Sequence, residues 1–107
     1  MGAWGSKPLQ NDASLDMLGR ETRRLWRLAK KSLLQGELIL ALAYLESLRR
    51  LDYHQYATPA QMMTMRKTYE IRFEREEAAL WSDPAARRRE IARVFNALTR
   101  HNRTPVR

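Results

Sequence analysis

Residues 15–36, LDMLGRETRRLWRLAKKSLLQG, decide the fold class. Leu15, Leu18, Thr22, Leu25, Trp26, Ala29 and Leu33 recur at three- and four-residue steps, which at about 100° per residue places them on one face of an α-helix. Arg20, Arg23, Arg24, Arg27, Lys30 and Lys31 occupy an arc of roughly 120° on the opposite side. The pattern predicts an amphipathic helix with a basic outer face. Asn11 or Asp12 supplies an N-cap side chain, Asp16 lies close to the positive end of the helix dipole, and Gly36 suits the left-handed residue that ends the helix.

Punctuation on either side of this stretch divides the rest of the chain. Residues 1–10, MGAWGSKPLQ, hold two of the four glycines and a proline and read as an irregular N-terminal arm. Residues 37–51 form a second helix that is apolar nearly all round. Leu38, Ala41, Leu45 and Leu48 make one face, and Leu40, Tyr44 and Leu51 another. Such a helix is central in its fold or shared with a second copy. Thr58-Pro59 is an N-cap followed by a first-turn proline and predicts a long helix over 59–81, with Met62, Met65, Tyr69, Phe73 and Leu80 inward. Ser82-Asp83-Pro84 repeats that logic for a fourth helix, inward at Ile91, Val94, Phe95 and Leu98. Residues 101–107 lack apolar periodicity and read as a mobile basic tail. The expected fold is all-α, a small four-helix bundle over 11–100 with the arm packed on it. Glu76 and Arg87 fall within otherwise apolar stripes across the Ser82–Pro84 turn, which predicts an ion pair between helices 3 and 4.

Composition bounds the function. The chain has 107 residues and 20 Lys+Arg against 12 Asp+Glu, a formal charge of +8. At this length about two-thirds of the unfolded surface is buried on folding, enough for a core without staples. Cysteine is absent, which excludes disulfides, a thiol nucleophile and thiolate metal sites. The longest apolar run, residues 38–45, is too short for a membrane span, and no secretory signal pattern is present, so the expected setting is cytoplasmic. Residues 20–31 carry six basic and one acidic residue, and residues 87–107 carry seven and one. The rest of the chain sums to −3.

Few constellations suggest chemistry. Glu70, Glu74 and Glu77 share one side of helix 3, but a di-metal carboxylate site also needs Glu-x-x-His pairs, and neither His54 nor His101 has a Glu three positions before it. Arg66, Lys67 and Arg72 stand at salt-bridging steps from those carboxylates. Met62, Met63 and Met65 read as core filling rather than an adaptable surface. A helix-turn-helix is disfavoured, because helix 2 is too apolar to enter a groove. Met1-Gly2 with Ser6 fits a myristoylation pattern only formally. No Ser/His/Asp group, Gly-rich phosphate loop or metal spacing appears, so no enzyme, cofactor or metal is expected.

The opening MGAWG, followed by Asn11-Asp12, Ser14 and Asp16, resembles an uncharacterised bacterial family of small helical proteins that begin the same way. The stretch from Glu77 through Leu80-Trp81 and Ser82 to Ile91 is similar to that family's acidic-Leu-Trp turn and last helix. Residues 36–46 are similar in texture to its Ala/Leu-rich second helix. The chain departs from the family at Leu9, Ala13 and Met17, and it is basic where members tend to be acidic. The resemblance carries no activity. It implies that Trp4 folds back on the bundle, with Gly2 and Gly5 allowing close approach.

The expected function is a non-catalytic binding module that contacts nucleic-acid phosphates through Arg20, Arg23, Arg24, Arg27, Lys30 and Lys31, extended by Arg89 and Arg93. The alternative is a protein-interaction or inhibitory module that docks on an acidic protein surface, or that forms a homodimer through helix 2.

Overall fold

A computed structural model describes residues 12–51 and 56–103, with the side chains of residues 17–100 among them. The arm with Trp4, the Asn11 cap, Tyr53 and His54 in the second connection, and residues 104–107 lie outside the described residues. Four α-helices follow one another: α1 Asp12–Leu34, α2 Leu38–Leu51, α3 Pro59–Arg72 and α4 Pro84–Arg103. Among the described residues there is no strand.

The boundaries obey the punctuation. Gly36 adopts φ 79°, and its N–H donates to Leu33 (3.1 Å) while that of Glu37 donates to Ser32 (2.9 Å), the paired closure of a left-handed helix end. Thr58 and Gln61 form a capping box: Thr58 Oγ1 accepts from the Gln61 N–H at 3.1 Å, and Gln61 Oε1 accepts from the Thr58 N–H at 2.8 Å. Asp83 Oδ1 accepts from the Ala86 N–H at 3.1 Å and starts α4. That helix continues through Arg103, three residues past its expected end.

The core gathers the inward stripe of every helix. Leu25, Trp26, Ala29 and Leu33 of α1 pack with Leu38, Ala41, Leu42, Leu45 and Leu48 of α2, and with Met62, Met65, Tyr69 and Phe73. Ile91, Val94, Phe95 and Leu98 of α4 complete it. Small residues at Gly19, Thr22, Ala29 and Ala41 are fully buried, so α1 and α2 approach closely along their hairpin. Thr22 satisfies its hydroxyl by donating to the Gly19 carbonyl at 2.9 Å. α2 is central, flanked by α1 and α4, while α3 packs on α4. Of the residues expected on its second face, Tyr44 and Leu51 are partly buried against the core; Leu40, with Ile39 and Ala43, stays at the surface.

Helix 3 departs from its expected form. It is not α-helical to Trp81: after Arg72 the backbone winds as a π-helical turn over Phe73–Glu77 and then a 3₁₀ turn over Ala78–Leu80. The Ala78 N–H donates to Phe73 five residues back, so one extra residue fits in the turn and Ala78 returns to the core face. A constant 3.6-residue period puts Leu80 inside; the shifted register leaves it 80% exposed. The same shift removes the expected Glu76–Arg87 pair. Glu76 accepts from Arg72 at 2.9 Å and from Arg75 at 3.5 Å, while the Arg87 guanidinium lies 4.4 Å from the centre of the Trp81 ring.

Two polar contacts tie α3 to the α1–α2 hairpin. Tyr69, fully buried, donates its hydroxyl to the Leu38 carbonyl at 2.7 Å, and burial pushes its pKa up to about 12. Arg72 donates to the Leu33 carbonyl at the C-terminus of α1, which also accepts from the Gly36 N–H, while its Nε and Nη2 hold Glu76. At the other end, Trp26 of α1 meets Tyr56 with ring centroids 5.8 Å apart. The chain therefore enters α3 beside the middle of α1 and leaves beside its end, so the two helices run in the same direction.

Candidate nucleic-acid interface

The apolar stripe of α1 is committed to the core, which turns its basic arc outward. Arg20, Arg23, Arg24, Arg27, Lys30 and Lys31 are all exposed. From Arg20 to Lys31 the arc rises about 16 Å along the helix axis. A shallow depression of about 400 Å³ on this face is lined by Met17, Arg20, Glu21, Arg23, Arg24 and Arg27.

The six cations differ in what holds them. Arg24 is gripped by Glu21 one turn away, through both Nε and Nη2, and that hydrogen bonding keeps the Glu21 carboxyl below its usual range. Arg23, Arg27, Lys30 and Lys31 make no ion pair or hydrogen bond through their side chains among the described residues.

The two residues expected to extend the patch from α4 behave differently from each other. Arg89 is exposed and unpaired among the described residues. Arg93 is bound to Glu90 on its own helix and reaches Glu46 of α2 at 3.4 Å. It serves as a clamp between α4 and α2. Glu46 is the hub of this cluster: Arg49 first, then Arg93 and Arg50, hold its carboxyl down to about 2. Arg88 is likewise occupied, with its Nε 2.7 Å from Glu74 of the π turn.

The acidic row of helix 3 is distributed among three different partners. Glu70 accepts from Arg66 at 3.2 Å, Glu74 from Arg88, and Glu77 from the indole N–H of Trp81 at 2.9 Å. Trp26 is buried against Tyr56, so its ring is not a platform on which a base could stack. No helix of the described chain is long and apolar enough to cross a membrane.

A second feature escaped the sequence reading. Between α1 and α3 lies an apolar slot of about 320 Å³, lined by Trp26, Lys30, Leu33 and Leu34 on one side and by Ala60, Gln61, Thr64, Met65 and Thr68 on the other. Three of the five α3 residues that line it, Ala60, Thr64 and Thr68, have small side chains. Alanine, threonine and glutamine give no periodic signal, so a pattern search passes over them. No family model, curated protein or solved structure matches the chain.

Proposed function

We propose that the protein is a non-catalytic module that binds nucleic acid through the outer face of α1. The observation that carries this reading is the row of four exposed cations, Arg23, Arg27, Lys30 and Lys31, with no carboxylate partner among the described residues. A face about 16 Å long covers about five phosphates of one strand, so each cation can find an anion without distortion of the helix. Arg20 and Arg24 border the row. Arg24 would exchange Glu21 for a phosphate, and Arg89 would act at most as a distant contact.

Binding of this kind is driven by release of counterions and carries little sequence preference. With about four phosphate contacts, affinity for duplex DNA falls by about two orders of magnitude between 50 and 200 mM salt. The test is fluorescence anisotropy with a labelled 20-base-pair duplex and a labelled 20-nucleotide RNA across that salt range. A steep, linear dependence of log affinity on log salt supports the reading. Absence of binding to both probes at 50 mM salt overturns it.

A further inference from the structure

The slot between α1 and α3 is a surface feature with its own charge pattern. Its surface is mainly apolar, with Trp26, Leu33, Leu34 and Met65 among the nine residues that line it. Two of its lining residues are themselves held from outside the slot, Trp26 by the ring contact with Tyr56 and Leu33 by the hydrogen bond from Arg72. From Trp26 to Leu34, and from Ala60 to Thr68, each wall rises about 12 Å, a little over two helical turns. That length matches the i, i+4, i+7 anchors of one amphipathic helix laid in a groove.

Both long edges are basic. On α1, Lys30 lines the slot, and Arg23 and Arg27 project within about 60° of it at 100° per residue. On α3, Lys67 projects about 20° outside Ala60. None of these four is paired among the described residues. An occupant must therefore offer apolar side chains to the slot and anions to both rims. A second copy of this chain is a poor match, because its net charge of +8 would bring like charges to the rims. A nucleic acid offers the anions but no aliphatic anchors.

We infer that the α1–α3 slot is a docking site for an acidic amphipathic helix of a partner protein, with two or three apolar anchors in the slot and Glu or Asp against Lys30 and Lys67. This inference does not depend on phosphate binding by the outer face. The two surfaces share only the Arg23–Lys30 edge, so an acidic helix and a nucleic acid would compete there.

The experiment titrates the full chain with a labelled 14-residue helical peptide bearing Leu at i, i+4 and i+7 and Glu at the flanking positions. A peptide of the same composition with its leucines spread around the helix is the control. The readout is anisotropy, together with the indole N–H signal of Trp26 in a two-dimensional NMR spectrum. Saturable binding that moves the Trp26 signal, that is absent with the control peptide, and that falls at least tenfold in Thr64→Arg supports the inference. Thr64 is exposed, so the variant should fold, which circular dichroism checks. The double variant Lys30→Glu, Lys67→Glu leaves the slot open and should lose a similar factor. Equal affinity for both peptides, or binding indifferent to Thr64→Arg and to the double variant, overturns the inference. So does self-association of the chain that Thr64→Arg abolishes while the patterned peptide fails to bind. Loss of nucleic-acid binding alone would leave the slot unaffected, and the reverse holds equally.

Discussion

The first and last helices carry comparable runs of arginine and lysine, yet the fold uses them in opposite ways. On α1 the cations are all exposed, with Lys30 at the edge of the slot facing α3, and four of them have no internal partner among the described residues. On α4, Arg93 spans to Glu46 of α2, Arg88 to Glu74 after α3, and Arg87 covers the Trp81 ring. The difference follows from position. α4 lies against both α2 and α3, so its polar flanks find carboxylates on two neighbours, while α1 turns one whole face to solvent. Charge on the first helix is available for a partner; charge on the last is largely spent on the fold.

The sharpest way to break this contrast is to neutralise each set separately. Replacing Arg23, Arg27, Lys30 and Lys31 together by Ala should lower affinity for duplex DNA about 100-fold at 50 mM salt, with stability nearly unchanged. Replacing Arg88 and Arg93 by Ala should change affinity less than about threefold, measured by the same anisotropy titration. Equal losses would erase the distinction between the two helices.

Acid should expose the structural set next. The Glu46 carboxyl is held to about 2, well below the range of an unfolded chain. Its contribution is present in full above about pH 4.5 and disappears as the pH falls toward 2, because the unfolded state takes up the proton first. Urea midpoints between pH 6 and 2.5 should fall by an amount equivalent to ~2 kcal/mol from this group, and Glu46→Gln should flatten that slope. A variant with the wild-type slope would remove Glu46 from the account.

Gly36→Ala should cost about 1–2 kcal/mol, read as a lower denaturant midpoint, because φ 79° is strained for any Cβ. The added carbon would also sit 3.3 Å from Arg72 Nη2 and press on the contact that ends α1. Smallest of all, Arg88→Ala should lower the melting temperature by only about 1–4 °C, since its pair with Glu74 is half-exposed on both sides. A larger shift would mean that the α4 cations are more deeply structural than their exposure suggests.

Much of the architecture is readable along the chain because its signals are local. Gly36, Thr58-Pro59 with Gln61, and Asp83-Pro84 mark ends by chemistry that acts within four residues. The inward residues from Thr22 to Leu33 of α1, from Leu38 to Leu48 of α2 and from Ile91 to Leu98 of α4 are buried where the 3.6-residue period puts them, whereas Leu40 on the second face of α2 is exposed. The readings that fail are those that extrapolate. Leu80 and Glu76 are misplaced because one constant period was carried across a π turn, which no residue pattern announces. The candidate site divides in the same manner. That α1 has a basic face is a local fact, whereas the capture of Arg93 by Glu46, 47 residues away, depends on the packing of helices. The slot belongs to neither helix alone and had no sequence signal.

The π turn also says where the gene could lose a codon. A five-residue turn that returns Ala78 to the face of Phe73 does the work of four residues in an ordinary helix. Excision of Arg75, whose side chain is 70% exposed, would let the backbone bonds revert to their usual spacing while both core residues keep their places. Excision at Arg66, in the regular part of α3, would instead turn every inward residue beyond it by about 100°. A scan of single-residue deletions along 60–80 should therefore show one tolerant window, at 74–77, inside a stretch that otherwise accepts none.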